Sequence, residues 1–182
     1  MKGAFLDVDG VVRHNDRSMD GGPYYTTSYD QVVFIKGALE AHKMLYEAGF
    51  KVYWVTMQNS IVEGVVSAEV VDNIFKQMAK DVMRIVQVPV KYRVCTTPTE
   101  DSDLKVWAKC QAVQEFAEAD DIDLSQSVGI GDARSDILAF QKAGCGTNIH
   151  INIPRGDKDV KEADWVANSL YEAVFKFIYD LK

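Results

Sequence analysis

The sequence has few cysteines and none of the arrangements in which cysteines usually act together. Cys95, Cys110 and Cys145 are the three cysteines among 182 residues; they are widely separated, and no CxxC pair occurs. An odd number of scattered cysteines suits reduced thiols in a cytoplasm better than a disulfide framework. The sequence also lacks a histidine and cysteine cluster of the kind that binds zinc. We therefore expect a cytoplasmic protein without disulfides or a zinc site.

Long apolar runs and an excess of positive charge are missing too. No segment approaches the roughly 20 consecutive apolar residues that span a bilayer, and the first residues do not have the layout of a signal peptide. Lysine and arginine number 20 against 27 acidic residues, and a net charge of -7 argues against general affinity for nucleic acid or anionic membranes. We expect one globular domain over residues 1–182 that acts away from membranes, with nucleic acid disfavoured as a partner.

What the sequence does contain is an alternation of short apolar runs and helical patterns. Strands that alternate with helices imply right-handed crossovers and a parallel sheet covered on both faces, which is an α/β fold. The predicted strands cover 4–6, 51–56, 90–96, 127–130, 147–151 and 164–167, and the predicted helices cover 37–46, 67–86, 102 onward, 137–143 and 169–181.

Two carboxylates follow the first predicted strand. Asp7 and Asp9 are separated by one residue and precede Gly10, so the chain leaves the sheet at the carboxyl edge of the strand. In open α/β sheets this is the edge at which ligands bind. Burial of unpaired carboxylates costs several kcal/mol unless a cation or hydrogen-bond donors offset it. Asp7 and Asp9 therefore predict a cation site, with a metal ion as the obvious partner.

Other strand and helix ends supply residues that could join this site. Thr56 ends the second strand, and Asp132 with Asp136 follows the fourth. Lys105 lies near the start of a helix, where a cation opposes the helix dipole unless it faces an anion. We prefer Lys105 as the anion-binding lysine, although Lys109 lies one turn later and could share the same face. Carboxylates, a hydroxyl and a lysine together predict a site for Mg²⁺ and a phosphate group.

These residues, in this order, resemble the four motifs of the haloacid dehalogenase superfamily, and the resemblance covers nearly the whole chain. It implies a three-layer, Rossmann-like sheet without a sizeable cap domain, and phosphatase activity with Mg²⁺. The matching residues are Asp7-Val8-Asp9-Gly10, Thr56, Lys105, and Gly131-Asp132 with Asp136.

The resemblance also implies a role for each residue. Asp7 would be the nucleophile that takes the phosphoryl group, and Asp9 the acid and base, with a pKa raised by nearby carboxylates unless the metal offsets it. Asp132 would complete the Mg²⁺ site with Asp7 and the main-chain carbonyl of Asp9. Thr56 and Lys105 would hold phosphoryl oxygens. The lysine or its loop would be oriented by Asp136, which is expected to support the site rather than bind the metal.

Two segments point to one branch of the superfamily. Residues 34–39 and 55–60 are similar to those of histidinol phosphatases and heptose-bisphosphate phosphatases, which suggests a small sugar phosphate or related metabolite as substrate. The chain departs from that branch at three places. Met57 stands where an asparagine usually contacts the substrate, Cys95 alone remains of a zinc loop, and Val106 replaces a proline.

Several alternatives stay open. A nucleic-acid 3′-phosphatase or nucleotidase of the same superfamily would also suit a site without a cap. A non-catalytic domain of the phosphoaspartate-receiver type is disfavoured, because its aspartate would follow a later strand. In the turn-rich segment 13–34, Tyr24, Tyr25 and Tyr29 are expected to pack within the loop rather than contact substrate. The oligomeric state is not predicted.

Overall fold

The computed structural model describes residues 1–179, which form a parallel sheet of six strands and five α-helices. The strand order is β3-β2-β1-β4-β5-β6, and every neighbouring pair is parallel. This arrangement confirms the predicted α/β fold. The strands are β1 (Lys2–Leu6), β2 (Phe50–Met57), β3 (Val90–Cys95), β4 (Val128–Gly131), β5 (Thr147–Ile151) and β6 (Trp165–Ala167); the helices are α1 (Ala38–Glu47), α2 (Ala68–Val86), α3 (Ser102–Asp120), α4 (Arg134–Ala143) and α5 (Leu170–Tyr179).

Helices cover both faces of the sheet. Side chains alternate along β1, so Ala4 and Leu6 pack in a core with α1, α2 and α5, while Phe5 packs in a second core with α3 and α4. Central parallel strands are buried on both faces, which explains why β1 and β2 read as nearly continuous apolar runs. The predicted three-layer architecture is confirmed.

One helix boundary differs from the sequence-based prediction by more than one residue. Helix α4 begins at Arg134, three residues before the predicted start at 137. A carboxylate oxygen of Asp136 accepts a hydrogen bond from the main-chain N–H of Ala133 at 3.1 Å, and this contact stabilises an additional turn. The predicted helix 169–181 is described as α5 up to Tyr179, and positions 180 and 181 lie outside the described residues.

The chain changes direction at the carboxyl edge of β1. Strand β1 lies between β2 and β4, so the crossover connections on its two sides run in opposite directions and leave a crevice there. The N–H of Asp7 donates to the carbonyl of Ile130 at 2.9 Å, which fixes the ends of β1 and β4 side by side. The connection from β1 to α1 is a loop with a short 3-10 turn at Tyr29–Gln31, and residues 1–179 contain no cap domain. A search of the same residues finds no helix long and apolar enough to cross a membrane.

Candidate active site

A buried lysine joins two aspartates at the crevice. Lys109, in the second turn of α3, places its Nζ 2.6 Å from an oxygen of Asp7 and 2.6 Å from an oxygen of Asp136. All three side chains are less than 10% exposed. The two carboxylates raise the pKa of Lys109 more than burial lowers it. The lysine therefore stays a cation beside Asp7, where an incoming anion would need one.

This finding changes the choice of lysine. The sequence-based preference for Lys105 is not what the structure supports, because Lys105 forms an ion pair with Glu100 at the rim of the pocket. Lys109 lies one turn further along α3, on the side that faces the sheet, and it reaches Asp7. The position of the helix against the sheet decides which of the two lysines reaches the site. The sequence pattern of one helix does not contain that information.

Three carboxylates meet where a metal ion would fit. One oxygen from each of Asp7, Asp132 and Asp136 lies within 4.8 Å of the others. Oxygen Oδ1 of Asp132 is buried without a hydrogen-bond partner, while its Oδ2 accepts from Arg17 at 3.0 Å. A buried, unpartnered carboxylate oxygen is costly unless a ligand completes it. Hard oxygen donors of this kind suit Mg²⁺, so the residues present fit the predicted metal.

The negative charges of the three carboxylates repel one another, which disfavours their ionised forms. Burial, followed by the charges of Asp7 and Asp136, raises the pKa of Asp132 well above its ordinary value. Burial also raises the pKa of Asp7 to about 6, although the neighbouring Lys109 ammonium acts in the opposite direction. A divalent cation would relieve both effects, because it favours the ionised carboxylates.

The environment of Asp9 differs from the expectation. Its carboxylate accepts from Arg13 Nε at 2.8 Å, from Arg13 Nη2 at 3.2 Å and from Gln58 Nε2 at 2.6 Å. Burial raises the pKa of Asp9, but the Arg13 charge and these hydrogen bonds together lower it by more. The pKa of Asp9 is therefore lower than its ordinary value. The predicted upward direction was wrong because Arg13, four residues along the chain, forms an ion pair with Asp9. The Asp9 side chain lies outside the three-carboxylate cluster.

The strand β2 brings two predicted substrate residues to the crevice in different ways. Thr56 is fully buried, and its hydroxyl accepts from Gln58 Nε2 at 2.8 Å. Met57 lines a pocket of about 340 Å³ that also contains Asp7, Asp9, Lys109 and Asp132. In this arrangement Met57 faces the space that a substrate would occupy, whereas Thr56 supports the amide of Gln58.

The loop after β1 overhangs the pocket. Tyr24 and Tyr25 line it, with their rings edge to face at 4.6 Å, and the hydroxyl of Tyr25 donates to Glu63. Tyr29 lies elsewhere and donates to Asp81 on α2. The expectation of packing within the loop fits the mutual contact of Tyr24 and Tyr25, but both rings also face the substrate space.

Arg155 connects this overhanging loop to the loop after β5. Arg155 donates to the main-chain carbonyls of Asp16 and Met19 and forms an ion pair with Asp20 at 2.5 Å. Its own N–H donates to the carbonyl of Arg17 at 3.0 Å. The backbone that carries Arg17 is therefore held close to the carboxylate cluster.

Sequence reasoning missed three residues of the site: Arg13, Arg17 and Gln58. A weak signal existed for two of them, since Arg13 follows Asp9 by four residues and Gln58 follows Thr56 by two. Arg17 carried no such signal, because it reaches Asp132 across 115 positions of the chain.

Comparison with known proteins finds relatives that are named as phosphatases. No family model matches the chain. A D-glycero-beta-D-manno-heptose-1,7-bisphosphate 7-phosphatase of Haemophilus ducreyi is 28% identical, with 95% of this chain and 96% of that protein covered. The protein of the same name from Yersinia pestis is 29% identical, with 91% and 89% covered.

Solved structures show the same fold. A D,D-heptose 1,7-bisphosphate phosphatase from B. bronchiseptica, solved with magnesium and phosphate, matches with a TM-score of 0.80 at 22% identity and covers 99% of both chains. A HAD-like phosphatase from Mesorhizobium loti matches with a TM-score of 0.77 at 19% identity, over 100% of this chain and 87% of that one. The chain is therefore similar in sequence to heptose-bisphosphate phosphatases and similar in fold to HAD-like phosphatases, and residues 1–179 contain no cap domain.

Proposed function

We propose that the chain is a Mg²⁺-dependent phosphomonoesterase that acts on a small sugar phosphate through a phosphorylated Asp7. One observation carries the proposal: the buried ammonium of Lys109 lies 2.6 Å from Asp7, beside an unpartnered oxygen of Asp132, at the carboxyl edge of the sheet. This arrangement provides a nucleophile, a fixed cation and a vacant donor for a metal in one crevice. A receiver-type domain is disfavoured because its phosphorylated aspartate would follow a later strand, whereas Asp7 directly follows β1.

The chemistry follows from these groups. An oxygen of Asp7 attacks phosphorus, and the bond between phosphorus and the ester oxygen breaks. Asp9, in its protonated form, gives its proton to the departing alcohol. Water then attacks the phosphoryl group on Asp7, Asp9 takes the proton from that water, and inorganic phosphate leaves. Lys109 balances the charge of the phosphoryl oxygens in both steps.

Asp7, Asp132 and the main-chain carbonyl of Asp9 would hold Mg²⁺, while Asp136 orients Lys109. Bound there, Mg²⁺ would neutralise charge on the transferring phosphoryl group. A solved phosphoserine phosphatase, described as a phospho-aspartyl intermediate analogue, has a related fold with a TM-score of 0.61 and supports the covalent route.

The substrate class is supported by the relatives and by the pocket. The two heptose-bisphosphate phosphatases match over about nine tenths or more of their lengths. Polar residues line the pocket, among them Tyr25, Thr26 and Asn59, and polar groups of this kind suit a polyhydroxylated substrate. Met57 replaces a polar residue of that branch, so the sugar recognised here would make an apolar contact at this position.

The first test measures phosphate release from p-nitrophenyl phosphate with and without Mg²⁺. We expect turnover that a chelator removes, and a loss of at least about 1,000-fold in Asp7→Asn, since this variant lacks the nucleophile. Glu118→Gln, an exposed residue of α3 that also loses one negative charge, is the matched control and should keep full activity. Turnover retained by Asp7→Asn would refute the covalent mechanism.

A substrate panel then tests the substrate class. Sugar phosphates, sugar bisphosphates, nucleotides and 3′-phosphorylated oligonucleotides are compared by kcat/KM. We expect the highest value for a sugar phosphate. A preference of about tenfold or more for nucleotides or oligonucleotides would replace the sugar-phosphate proposal with the nucleotidase or 3′-phosphatase alternative.

A further inference from the structure

The loop after β1 folds back on itself and brings Arg13 to Asp9. Gly10 has a positive φ of 86°, and the N–H groups of Val12 and Arg13 both donate to the carbonyl of Val8. The N–H of Gly10 donates to the carbonyl of Arg13 at 2.8 Å. Because of this tight turn, the guanidinium of Arg13, four residues after Asp9, lies beside the Asp9 carboxylate.

The guanidinium lies in an apolar environment. The Arg13 side chain is 1% exposed, lies 5.0 Å from the ring centre of Phe75, and has its Nη1 3.6 Å from the sulfur of Met78. Phe75 and Met78 would pack equally well against an apolar side chain at position 13, which would not carry the desolvation cost of a buried charge. Packing alone therefore gives no reason for an arginine here, whereas the contact with Asp9 does.

The contact fixes the orientation of the Asp9 carboxylate. Nε and Nη2 of Arg13 contact different oxygens of Asp9, and a two-point contact between two planar groups sets their relative orientation. Gln58 adds a third donor from the end of β2, and its amide is held in turn by the hydroxyl of Thr56. Two separate parts of the chain thus converge on one carboxylate.

We propose that Arg13 is a positioning residue that holds the carboxylate of Asp9 where it exchanges a proton with the leaving group and with the attacking water. The inference rests on the proposed function, in which Asp9 carries that proton. Arg13 is not among the residues that line the pocket, so we expect it to contact neither substrate nor metal. Its effect on the rate passes through Asp9, with Gln58 as the second support.

The test compares Arg13→Met and Arg13→Lys with the wild-type protein. Methionine keeps an apolar chain of similar length in the core, and lysine keeps the charge but loses the two-point contact. We expect kcat for Arg13→Met to fall about 100-fold with KM within about twofold, the loss typical of a misplaced catalytic group. Arg13→Lys should recover part of that loss. Arg93→Met, which removes an exposed arginine paired with Glu115, is the control.

A second measurement separates positioning from a general loss of structure. Glycerol phosphate has a poor leaving group that needs a proton, whereas p-nitrophenolate leaves more readily without one. If Arg13 positions Asp9, Arg13→Met loses at least about tenfold more activity on glycerol phosphate than on p-nitrophenyl phosphate. Equal loss on both substrates, or an unchanged kcat, would overturn the inference.

A third measurement uses the Asp9→Asn background. There, Arg13→Met should cause less than about a twofold further change in kcat, because the residue it positions is already disabled. Calorimetry should give a Mg²⁺ affinity for Arg13→Met within about twofold of wild type, while a larger change would assign Arg13 to the metal site instead. A wild-type protein without any turnover would refute the proposed function itself; wild-type turnover with a normal Arg13→Met refutes the role of Arg13 alone.

Discussion

At the scale of single residues, Lys109 supplies the cation beside Asp7, the proposed nucleophile. Its ammonium lies between Asp7 and Asp136, and each of these ion pairs is buried. Loss of one partner from a buried ion pair is far more damaging than loss of a surface pair, because it leaves an uncompensated charge. Here two carboxylates would lose their shared cation at once.

We therefore expect Lys109→Met to lower kcat/KM at least about 100-fold and the free energy of unfolding by about 3 kcal/mol at neutral pH. Lys105→Met is the matched control, since it lies one turn earlier on the same helix and loses a rim ion pair with Glu100. It should change the free energy of unfolding by less than about 1 kcal/mol. Steady-state kinetics and urea unfolding measure both effects. A larger kinetic loss in Lys105→Met would restore the original preference for that lysine.

The residues that the sequence predicted best lie at strand ends. Asp7 and Asp132 each follow a buried strand directly, so the sheet alone brings them together, and their placement needed no side-chain detail. Arg13 and Gln58 lie in turns, where the direction of a side chain depends on backbone angles that no periodic pattern encodes. The direction of the Asp9 pKa was wrong for the same reason: its decisive partner was hidden in a turn.

At the scale of elements, the contact between β4 and α4 depends on glycine. A Cβ added at Gly129 would lie 2.4 Å from Cβ and Cγ of Phe140, and one added at Gly131 would lie 2.4 Å from Cβ of Asp136. Glycine at these two positions allows α4 to approach the strand closely enough for Asp136 to reach Lys109. Close packing of the helix thus positions a residue of the site.

We expect Gly129→Ala to lower the free energy of unfolding by about 3 kcal/mol, because Phe140 or the helix must move to admit the methyl group. It should also lower kcat, since α4 carries Asp136. Gly64→Ala is the control: its added Cβ meets nothing within 4 Å, and only the positive φ of 71° causes a loss of about 1 kcal/mol. Equal losses of stability in the two variants would contradict the packing argument.

The elements themselves were largely predictable, because helix and strand periods differ and most caps are local. The start of α4 was placed too late because its first turn depends on a hydrogen bond from Ala133 to the side chain of Asp136. The order of the strands could not be read from the pattern. The strand order depends on which apolar faces pack against each other. In a sheet that is buried on both faces, all strands have similar apolar sequences, so the sequence does not distinguish them.

At the scale of the whole molecule, a buried histidine couples stability to pH. The indole N–H of Trp54 donates to Nε2 of His42 at 2.8 Å, so Nδ1 carries the proton and donates to the carbonyl of Ala38 at 2.6 Å. Burial lowers the pKa of His42 to about 4 from an ordinary 6.5. Folding therefore favours the neutral ring.

The sign of the effect follows from linkage. Because the pKa is lower in the folded state, the contribution of neutral His42 is complete above pH 6.5 and is lost as the pH falls toward 4. Between those limits the wild-type protein should lose about 3 kcal/mol relative to His42→Gln. The measurement is the difference between the two unfolding free energies at several pH values. His14→Gln, at a partly exposed position, should show a much smaller change with pH. If the difference in unfolding free energy between the wild-type protein and His42→Gln did not change with pH, the role of His42 would be refuted.

The central place of β1 in the sheet has a consequence for how the molecule could be divided. The segment before residue 97 contains Asp7, the proposed nucleophile, whereas the segment after it contains Lys109, Asp132 and Asp136. The two segments meet along the contact between β1 and β4. Neither piece alone contains both Asp7 and Lys109, the cation paired with it. Cut at the exposed loop around residues 98–101, the chain would become a two-part reporter, whose catalytic signal appears only when its halves, or two proteins fused to them, come together.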